Sequence, residues 1–196
     1  VTVNAVNDAP VANAASATTS EDQSVVVTLS GSDIDGDNLS FSLDSDATNG
    51  SVTLNGALAT YTPDANFNGS DSFTFSVSDG EATASADVSL TVNAVNDAPV
   101  LASVSNVSFD EDGSGSTSLS AADVDGDDLT FSVTGGTLIT ATLDGSDVTF
   151  SAPDNYNGSE EFSVSVTDGN LADSQSFSVT VNAVNDAPVA NAASAT

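Results

Sequence analysis

The stretch LTVNAVNDAPV spans residues 90–100, and close copies of it occupy residues 1–11 and 179–189. Asn93 in the middle copy therefore matches Asn4 and Asn182, with a step of 89 residues both times. Self-similarity at a fixed period is typical of arrays built from repeated modules. The sequence therefore predicts tandem repeats that are joined by the segment NAVNDAP.

The repeat boundaries follow from these copies. The chain starts within a strand-like segment and stops just after the third copy, which favours a piece of a longer array. The predicted boundaries are the tail of a preceding repeat with its linker (1–9), two complete repeats with their linkers (10–98 and 99–187) and the start of a third repeat (188–196).

Each repeat carries the pattern of β-strands with one buried face. Segments such as SVVVTL (24–29) and SFTFSVS (72–78) alternate apolar and polar residues. About seven short strands, with turns every eight to twelve residues, are typical of an immunoglobulin-like sandwich. The residues expected to fill the two cores are Phe41, Phe73, Phe75 and Leu90 in the first repeat, and Phe131, Phe162, Val164 and Phe177 in the second.

The composition narrows the function. The chain has 29 Asp and Glu residues and no Lys, Arg or His, which gives a formal charge of −29. We therefore expect no nucleic acid and no anionic membrane as a partner, because both need clustered basic residues. Acidic chains with few aromatic residues are often disordered, but the strand periodicity argues against a solvated coil.

Other function classes lack the residues they need. Without cysteine the chain has neither disulfides nor zinc–thiolate sites. No apolar run is long enough to insert into a membrane. With no His, Cys or Lys to act as base or nucleophile, we expect no enzyme activity. A monomer is the expected state.

Two aspartate-rich turns stand out: DIDGD at 33–37 and DVDGDD at 123–128. Carboxylates at such spacing repel one another, and the chain has no basic side chain to offset the repulsion. A calcium ion bound by these oxygens would supply the positive charge. The alternative is that Asp and Gly form a stable β-turn, with the Asp side chains capping backbone amides or facing water.

These turns, the linker NAVNDAP, the acidic turns SEDQS (20–24) and DEDGS (110–114) and the loops SVSDG and SVTDG together resemble the calcium-binding cadherin fold. The resemblance is to bacterial cadherin-like repeats, VCBS-type or tandem Ig-like, of giant RTX adhesins and related surface proteins. It implies an all-β fold of two tandem cadherin-like, immunoglobulin-like Greek-key β-sandwiches arranged end to end, with Ca²⁺ bound between neighbouring repeats.

The resemblance also implies the calcium ligands. The central site would take Glu21, Asp71, Asn93, Asn96, Asp97, Asp123, Asp125 and Asp168. Half-sites are expected at the start of the chain (Asn4, Asn7, Asp8, Asp33, Asp35 and Asp79) and at its end (Glu111, Glu160, Asn182, Asn185 and Asp186). Asn93 stands where the family has aspartate, so the number of ions per junction stays open between about one and three.

The function implied is that of a calcium-rigidified extender in a large adhesin on the bacterial cell surface or in a secreted protein, projecting a distal binding domain. The partners would be neighbouring repeats of the same chain. Two alternatives stay open: a calcium-dependent polysaccharide-binding module, and homophilic adhesion between cells.

Overall fold

A computed structural model describes residues 1–188, apart from Val3 and Ala5. The chain divides into two compact units, Val1–Val95 and Asn96–Thr196. The described residues form β-strands and loops, so the all-β prediction is confirmed. No helix among them is long and apolar enough to cross a membrane. The predicted start of a third repeat lies outside the described residues, except for Pro188.

The first unit is a β-sandwich. Its sheets have the strand orders β2-β9-β8-β5 and β3-β7-β6, and a two-stranded ribbon pairs β1 with β4. The strands are β1 (Val11–Asn13), β2 (Ala15–Ser20), β3 (Val25–Thr28), β4 (Ser30–Ser32), β5 (Ser40–Ser45), β6 (Gly50–Asn55), β7 (Leu58–Pro63), β8 (Gly69–Ser78) and β9 (Thr83–Asn93).

The core of this unit lies between the four-stranded and three-stranded sheets. Alternate residues of β8 point inward, so Phe73, Phe75 and Val77 are buried while the serines and threonines between them face outward. Tyr61 of β7 and Leu90 of β9 meet them from both sheets. Phe41 packs against this cluster at its edge, which agrees with the predicted core.

The second unit repeats this architecture with the orders β11-β18-β17-β14 and β12-β16-β15 and the ribbon β10-β13. The strands are β10 (Val100–Leu101), β11 (Val107–Asp110), β12 (Ser114–Ser118), β13 (Ala121–Ala122), β14 (Thr130–Gly135), β15 (Thr140–Asp144), β16 (Asp147–Ser151), β17 (Gly158–Thr167) and β18 (Ala172–Asn182).

Aromatic side chains fill the second core. Phe150 and Phe162 meet edge to face with ring centroids 5.2 Å apart, and Phe150 and Phe177 are related similarly at 5.8 Å. Val164 is fully buried, and Phe131 packs at the margin. Three of the four predicted core residues, Phe162, Val164 and Phe177, are therefore buried, and the fourth, Phe131, packs against them.

Strand pairing places each acidic turn beside the point where the chain leaves its repeat and enters the linker. Strand β2 runs parallel to β9, so Ser20 pairs with Asn93 at the point where the chain leaves the first unit. Strand β11 runs parallel to β18 in the same way, and Asp110 pairs with Asn182. The residue that follows each strand, Glu21 or Glu111, is therefore placed beside an outgoing linker.

Candidate metal centre

The aspartate-rich turn of the first unit is organised around one oxygen of Asp33. Its Oδ1 accepts hydrogen bonds from the backbone N–H groups of Asp35 at 2.8 Å and Gly36 at 3.1 Å. Gly36 adopts a φ of 80°, which disfavours residues with a side chain. The other oxygen, Oδ2, is buried and accepts no hydrogen bond from the described residues.

The second unit reproduces this turn. Asp123 Oδ1 accepts from Asp125 N at 2.9 Å and Gly126 N at 3.1 Å, and Asp123 Oδ2 is again buried with no hydrogen-bond donor among the described residues. Turn capping and metal binding are thus compatible, because the turn uses one oxygen and leaves the other.

Three carboxylates converge in each turn. In the first unit Asp33, Asp35 and Asp37 each place an oxygen within 4.8 Å of the others, and residues 123, 125 and 127 do so in the second. Burial, followed by the charges of the neighbouring aspartates, raises the pKa of Asp127 above its ordinary value. The cluster is therefore short of positive charge.

The second half of each linker is bound to the turn that follows it. In the first unit Asn7 Nδ2 donates to Asp79 Oδ2 at 2.9 Å, and Asp8 N donates to Asp35 Oδ2 at 2.8 Å. The structure therefore brings five predicted residues of the starting half-site together: Asn7, Asp8, Asp33, Asp35 and Asp79.

The same bonds recur in the second unit. Asn96 Nδ2 donates to Asp168 Oδ2 at 2.8 Å, and Asp97 N donates to Asp125 Oδ2 at 2.7 Å. These four residues and Asp123 are the part of the predicted central site that belongs to this unit.

Hydrogen bonds favour the ionised form of the two loop aspartates, Asp79 and Asp168. A side-chain hydrogen bond from Asn96, then backbone N–H donors of Leu171 and Asn170, lower the pKa of Asp168. For Asp79 the corresponding donors are Ala82 N, the Asn7 side chain and Glu81 N, and its pKa is also lowered.

The first half of each linker is bound to the unit that precedes it. Glu21 N donates to Asn93 O at 2.9 Å, and Val95 N donates to Glu21 Oε1. Glu21 is only 3% exposed, and its Oε2 accepts no hydrogen bond within the described chain. A buried carboxylate oxygen without a donor is costly unless a cation approaches it.

The matching glutamate of the second unit makes the same bonds. Glu111 N donates to Asn182 O at 2.9 Å, and Val184 N donates to Glu111 Oε1 at 2.5 Å. Asn182 is also tied to Asp110, with its Nδ2 3.3 Å from Asp110 Oδ1.

Asp71 and Glu160 are occupied by loop amides. Asp71 accepts from the N–H groups of Thr48, Asn49 and Ser72 and from the hydroxyl of Tyr61, at 2.9 to 3.1 Å. Burial alone would raise the pKa of Asp71, but these bonds outweigh burial and lower it. The role of Asp71 and Glu160 as metal ligands stays a prediction.

Glu160 holds the equivalent loop of the second unit. It accepts from the N–H groups of Thr137, Leu138 and Ile139, with the shortest bond at 2.6 Å from Thr137. The hydrogen bond from the Thr137 N–H is the main reason why the pKa of Glu160 is lowered.

The remaining predicted ligands lie apart from these clusters. Asn4, Asn185 and Asp186 are exposed, and Asn185 Nδ2 bonds only locally to Asp186 O at 3.2 Å. Asn93 is exposed and contributes its backbone carbonyl to Glu21. These four assignments also stay predictions.

Sequence reasoning missed a pair of aspartates beside the glutamates. Asp22 and Asp112 have φ values of 58° and 61°, and they accept from the N–H groups of Asn66 and Asn155 at 3.1 and 2.9 Å. These bonds clamp the PDAN and PDN loops to the acidic turn. The recurrence of Glu-Asp at 21–22 and 111–112 was the available signal.

The donor set fits calcium. Each turn offers several carboxylate oxygens, and the buried Oε2 of Glu21 and Oδ2 of Asp33 and Asp123 lack donors within the described chain. Calcium accepts six to eight such oxygens, whereas transition metals favour the histidine and cysteine that the chain lacks.

Comparison with known families identifies the class. The model of the bacterial Ig domain family matches residues 7–91 and 96–182, so the chain belongs to that family and contains two copies of its domain. A comparison with curated proteins found no match.

Solved structures of cadherins share the fold. Human protocadherin-24 EC1-2 (form II) is similar with a TM-score of 0.58 at 18% identity, over 90% of this chain and 99% of that one. Protocadherin gamma B7 domains 1–4 are similar with a TM-score of 0.55 at 16% identity, over 88% and 49%. The protein is therefore a tandem bacterial Ig-like repeat with a cadherin-like fold.

An endo-fucoidan hydrolase of glycoside hydrolase family 107 is also similar, with a TM-score of 0.40 at 24% identity. The match covers 90% of this chain, which spans only 29% of the length of that enzyme.

Proposed function

We propose that the two repeats are extender modules of a large bacterial surface adhesin, stiffened by calcium where one repeat follows another. Each module acts mechanically, without catalysis, and holds a distal binding domain away from the cell. Its partners are the neighbouring repeats of the same chain. The proposed location is extracellular, since sites of this kind bind calcium with a Kd of about 10⁻⁴ to 10⁻³ M and need a calcium-rich medium.

The buried oxygen of Glu21 is the observation that carries this proposal. It lies at the exit of the first repeat and lacks a donor among the described residues, in a chain with no Lys, Arg or His. Residues 93–95 lead from it directly to Asn96 and Asp97, which are bonded to the aspartates of the second repeat. An ion held by Glu21 and by the Asp123 turn would therefore couple consecutive repeats.

Calcium would supply the positive charge that the acidic turns lack. Glu21, Asp97, Asp123, Asp125 and Asp168 would hold it, with Asn93 and Asn96 contributing amide or carbonyl oxygens. The chain's own contribution is to hold these groups in place through the backbone and side-chain hydrogen bonds of each turn.

Polysaccharide binding is the second candidate that the sequence raises. No aromatic side chain in the described chain is exposed, and Tyr61 is completely buried. Stacking on a sugar ring needs an exposed aromatic face, so this observation favours the extender role. Homophilic adhesion has no specific observation in its favour.

Calorimetric titration with calcium tests the metal site. We expect binding in the sub-millimolar to millimolar range. The double variant Asp123→Ala/Asp125→Ala should lose the tightest binding and lower the thermal stability in calcium far more than in chelator. Asp144→Ala/Asp154→Ala, which changes two exposed acids outside the aspartate-rich turns, is the control with the same charge. Equal binding by both variants would refute the assignment of the site.

Small-angle X-ray scattering tests the mechanical role. In calcium the two-repeat protein should scatter as a stiff, extended particle, and in chelator the scattering should indicate a broader distribution of shapes. Identical profiles in both solutions would argue against calcium as the stiffening agent, even if the ion binds.

A further inference from the structure

We infer that each linker is divided between its neighbours, so that bending between repeats is confined to the peptide link between Val95 and Asn96. Residues 93–95 belong to the preceding repeat and residues 96–97 to the following one, and neither attachment requires a metal ion. The inference goes beyond the proposed function and stands whether or not calcium binds.

The first attachment is a two-point clamp on Glu21. The backbone N–H of Glu21 donates to Asn93 O at 2.9 Å, and its carboxylate accepts from Val95 N. Asn93 also ends β9, where it pairs with Ser20 of β2. Because Glu21 is 3% exposed, water has little access to compete for these bonds. The chain is therefore held to the first repeat as far as Val95.

The second attachment begins at the next residue. Asn96 Nδ2 donates to Asp168 Oδ2 at 2.8 Å, and Asp97 N donates to Asp125 Oδ2 at 2.7 Å. Asp168 is itself fixed, because its Oδ1 accepts from the N–H groups of Asn170 and Leu171 at 2.6 Å each. The chain is therefore held to the second repeat from Asn96 onward.

Each terminal copy of the linker makes only one of the two attachments. At the start of the chain, Asn7 and Asp8 make the second attachment to Asp79 and Asp35, at 2.9 and 2.8 Å. At the end of the chain only the first attachment is present. The Glu111 carboxylate accepts from Val184 N at 2.5 Å, and the Glu111 backbone N–H donates to Asn182 O at 2.9 Å. Each attachment thus forms within a single repeat.

The consequence is a linker with almost no slack. The bonded groups nearest to the link are Val95 N and the Asn96 side chain, so the rotations left between them are φ and ψ of Val95 and φ of Asn96. The donors in both attachments are amide groups and the acceptors are carboxylates or a carbonyl, so neither attachment contains a bond to a cation. The chelated protein should therefore bend at one point and keep residues 93–97 ordered.

Amide hydrogen exchange and ¹⁵N relaxation in excess chelator test this inference on the intact two-repeat chain. Val95 and Asp97 should exchange at least about tenfold more slowly than in an unstructured peptide, as expected for hydrogen-bonded amides. Their heteronuclear NOE values should match those of Val77 and Val166 in the two cores. Exchange at the unstructured rate for either linker amide would overturn the inference.

Variants assign the attachments. Glu21→Ala should speed exchange at Val95 about tenfold or more and leave Asp97 unchanged, whereas Asp125→Ala should do the reverse. Glu111→Ala is the matched control, since it should affect Val184 and neither of the others. Glu21→Gln, which keeps the acceptor oxygen, should retain protection at Val95.

The core amides serve as a check on folding. If Val77 and Val166 also lose protection in chelator, the repeats need the metal to fold, and attachments that exist without metal are refuted. Failure of the calcium titration would leave this result untouched, so the two proposals fail separately.

Discussion

The two repeats are nearly identical where the linkers attach and differ along β2 and β11. In the first repeat, β2 pairs with β9 over six residues, Ala15 to Ser20. In the second repeat, β11 pairs with β18 over only four, Val107 to Asp110. The preceding segment, residues 101–106, is attached to β18 by side chains instead.

Three side chains do this work in the second repeat. Asp173 accepts from Leu101 N at 2.9 Å, and Gln175 accepts from Val104 N at 3.1 Å while donating to Leu101 O at 2.9 Å. Asn106 accepts from Ser178 N at 2.9 Å. In the first repeat, Ala84 and Ala86 occupy the positions that match Asp173 and Gln175.

The comparison separates two kinds of constraint. An edge strand needs its backbone groups satisfied, and backbone or side-chain partners serve equally well, so its sequence is free to vary. The linker attachments use particular carboxylates at particular atoms, and both repeats keep them. This difference supports a function located at the repeat ends rather than along the sheet edges.

The largest expected effect is loss of the carboxylates that hold the loops. Asp71→Ala should destabilise the first repeat, and Glu160→Ala the second, each by about 2–4 kcal/mol, because several backbone donors lose a charged acceptor. Chemical denaturation of each variant measures the change. Asp154→Ala, at an exposed acid, is the control, and equal stabilities would contradict the loop-holding role.

The Asp71 carboxylate should make the stability of the first repeat depend on pH. Folding lowers the pKa of Asp71 below the unfolded value of 3.8. The ionised form therefore favours the folded state, so this contribution is complete above about pH 5 and is lost as the pH falls through the folded pKa. In chelator, Asp71→Asn should flatten the decline of stability between about pH 4 and 2. An unchanged fall in stability at acid pH would contradict the attribution of this pH dependence to Asp71.

A smaller effect is expected where side chains of β18 attach the segment before β11. Gln175→Ala should lower the stability of the second repeat by about 1–3 kcal/mol, since the N–H of Val104 and the carbonyl of Leu101 lose their partners. Thermal unfolding measures this loss. Gln23→Ala, at the other glutamine, should be neutral because that side chain is exposed. Equal effects at both sites would remove the contrast between the repeats.

The smallest expected effect is loss of the tyrosine hydroxyl that is bonded to Asp71. Tyr61→Phe removes a hydroxyl that donates to Asp71 Oδ2 at 3.0 Å and should cost about 0.5–1.5 kcal/mol. Phe150 occupies the matching position of the second repeat, where the hydroxyl bonded to the loop acid Glu160 comes from Tyr156 instead. A gain in stability would show that this bond is unfavourable.

Periodicity and self-similarity were enough to predict the sandwiches. Alternation at Phe73, Phe75 and Val77 defines a buried face, and the repeated linker defines the module. The shortened β11 was not predicted, because its replacement partners at Asp173 and Gln175 come from a distant strand and follow no local pattern.

The candidate site was predicted in part. Asp33 and Asp35 are close in sequence, and the loop position of Asp79 follows from the resemblance to cadherins. The bond from Val95 N to Glu21 involves a backbone donor that carries no side-chain signal. Asp71 was assigned to the metal on the same resemblance, but its hydrogen bonds depend on a loop more than twenty residues away.

A crystal grown in calcium would test the central claim most directly. Anomalous scattering should reveal ions at about 2.3–2.6 Å from Glu21 Oε2 and from Asp123 Oδ2, the distances at which calcium binds oxygen. Density explained by water alone at both oxygens, with millimolar calcium in the crystal, would contradict the account.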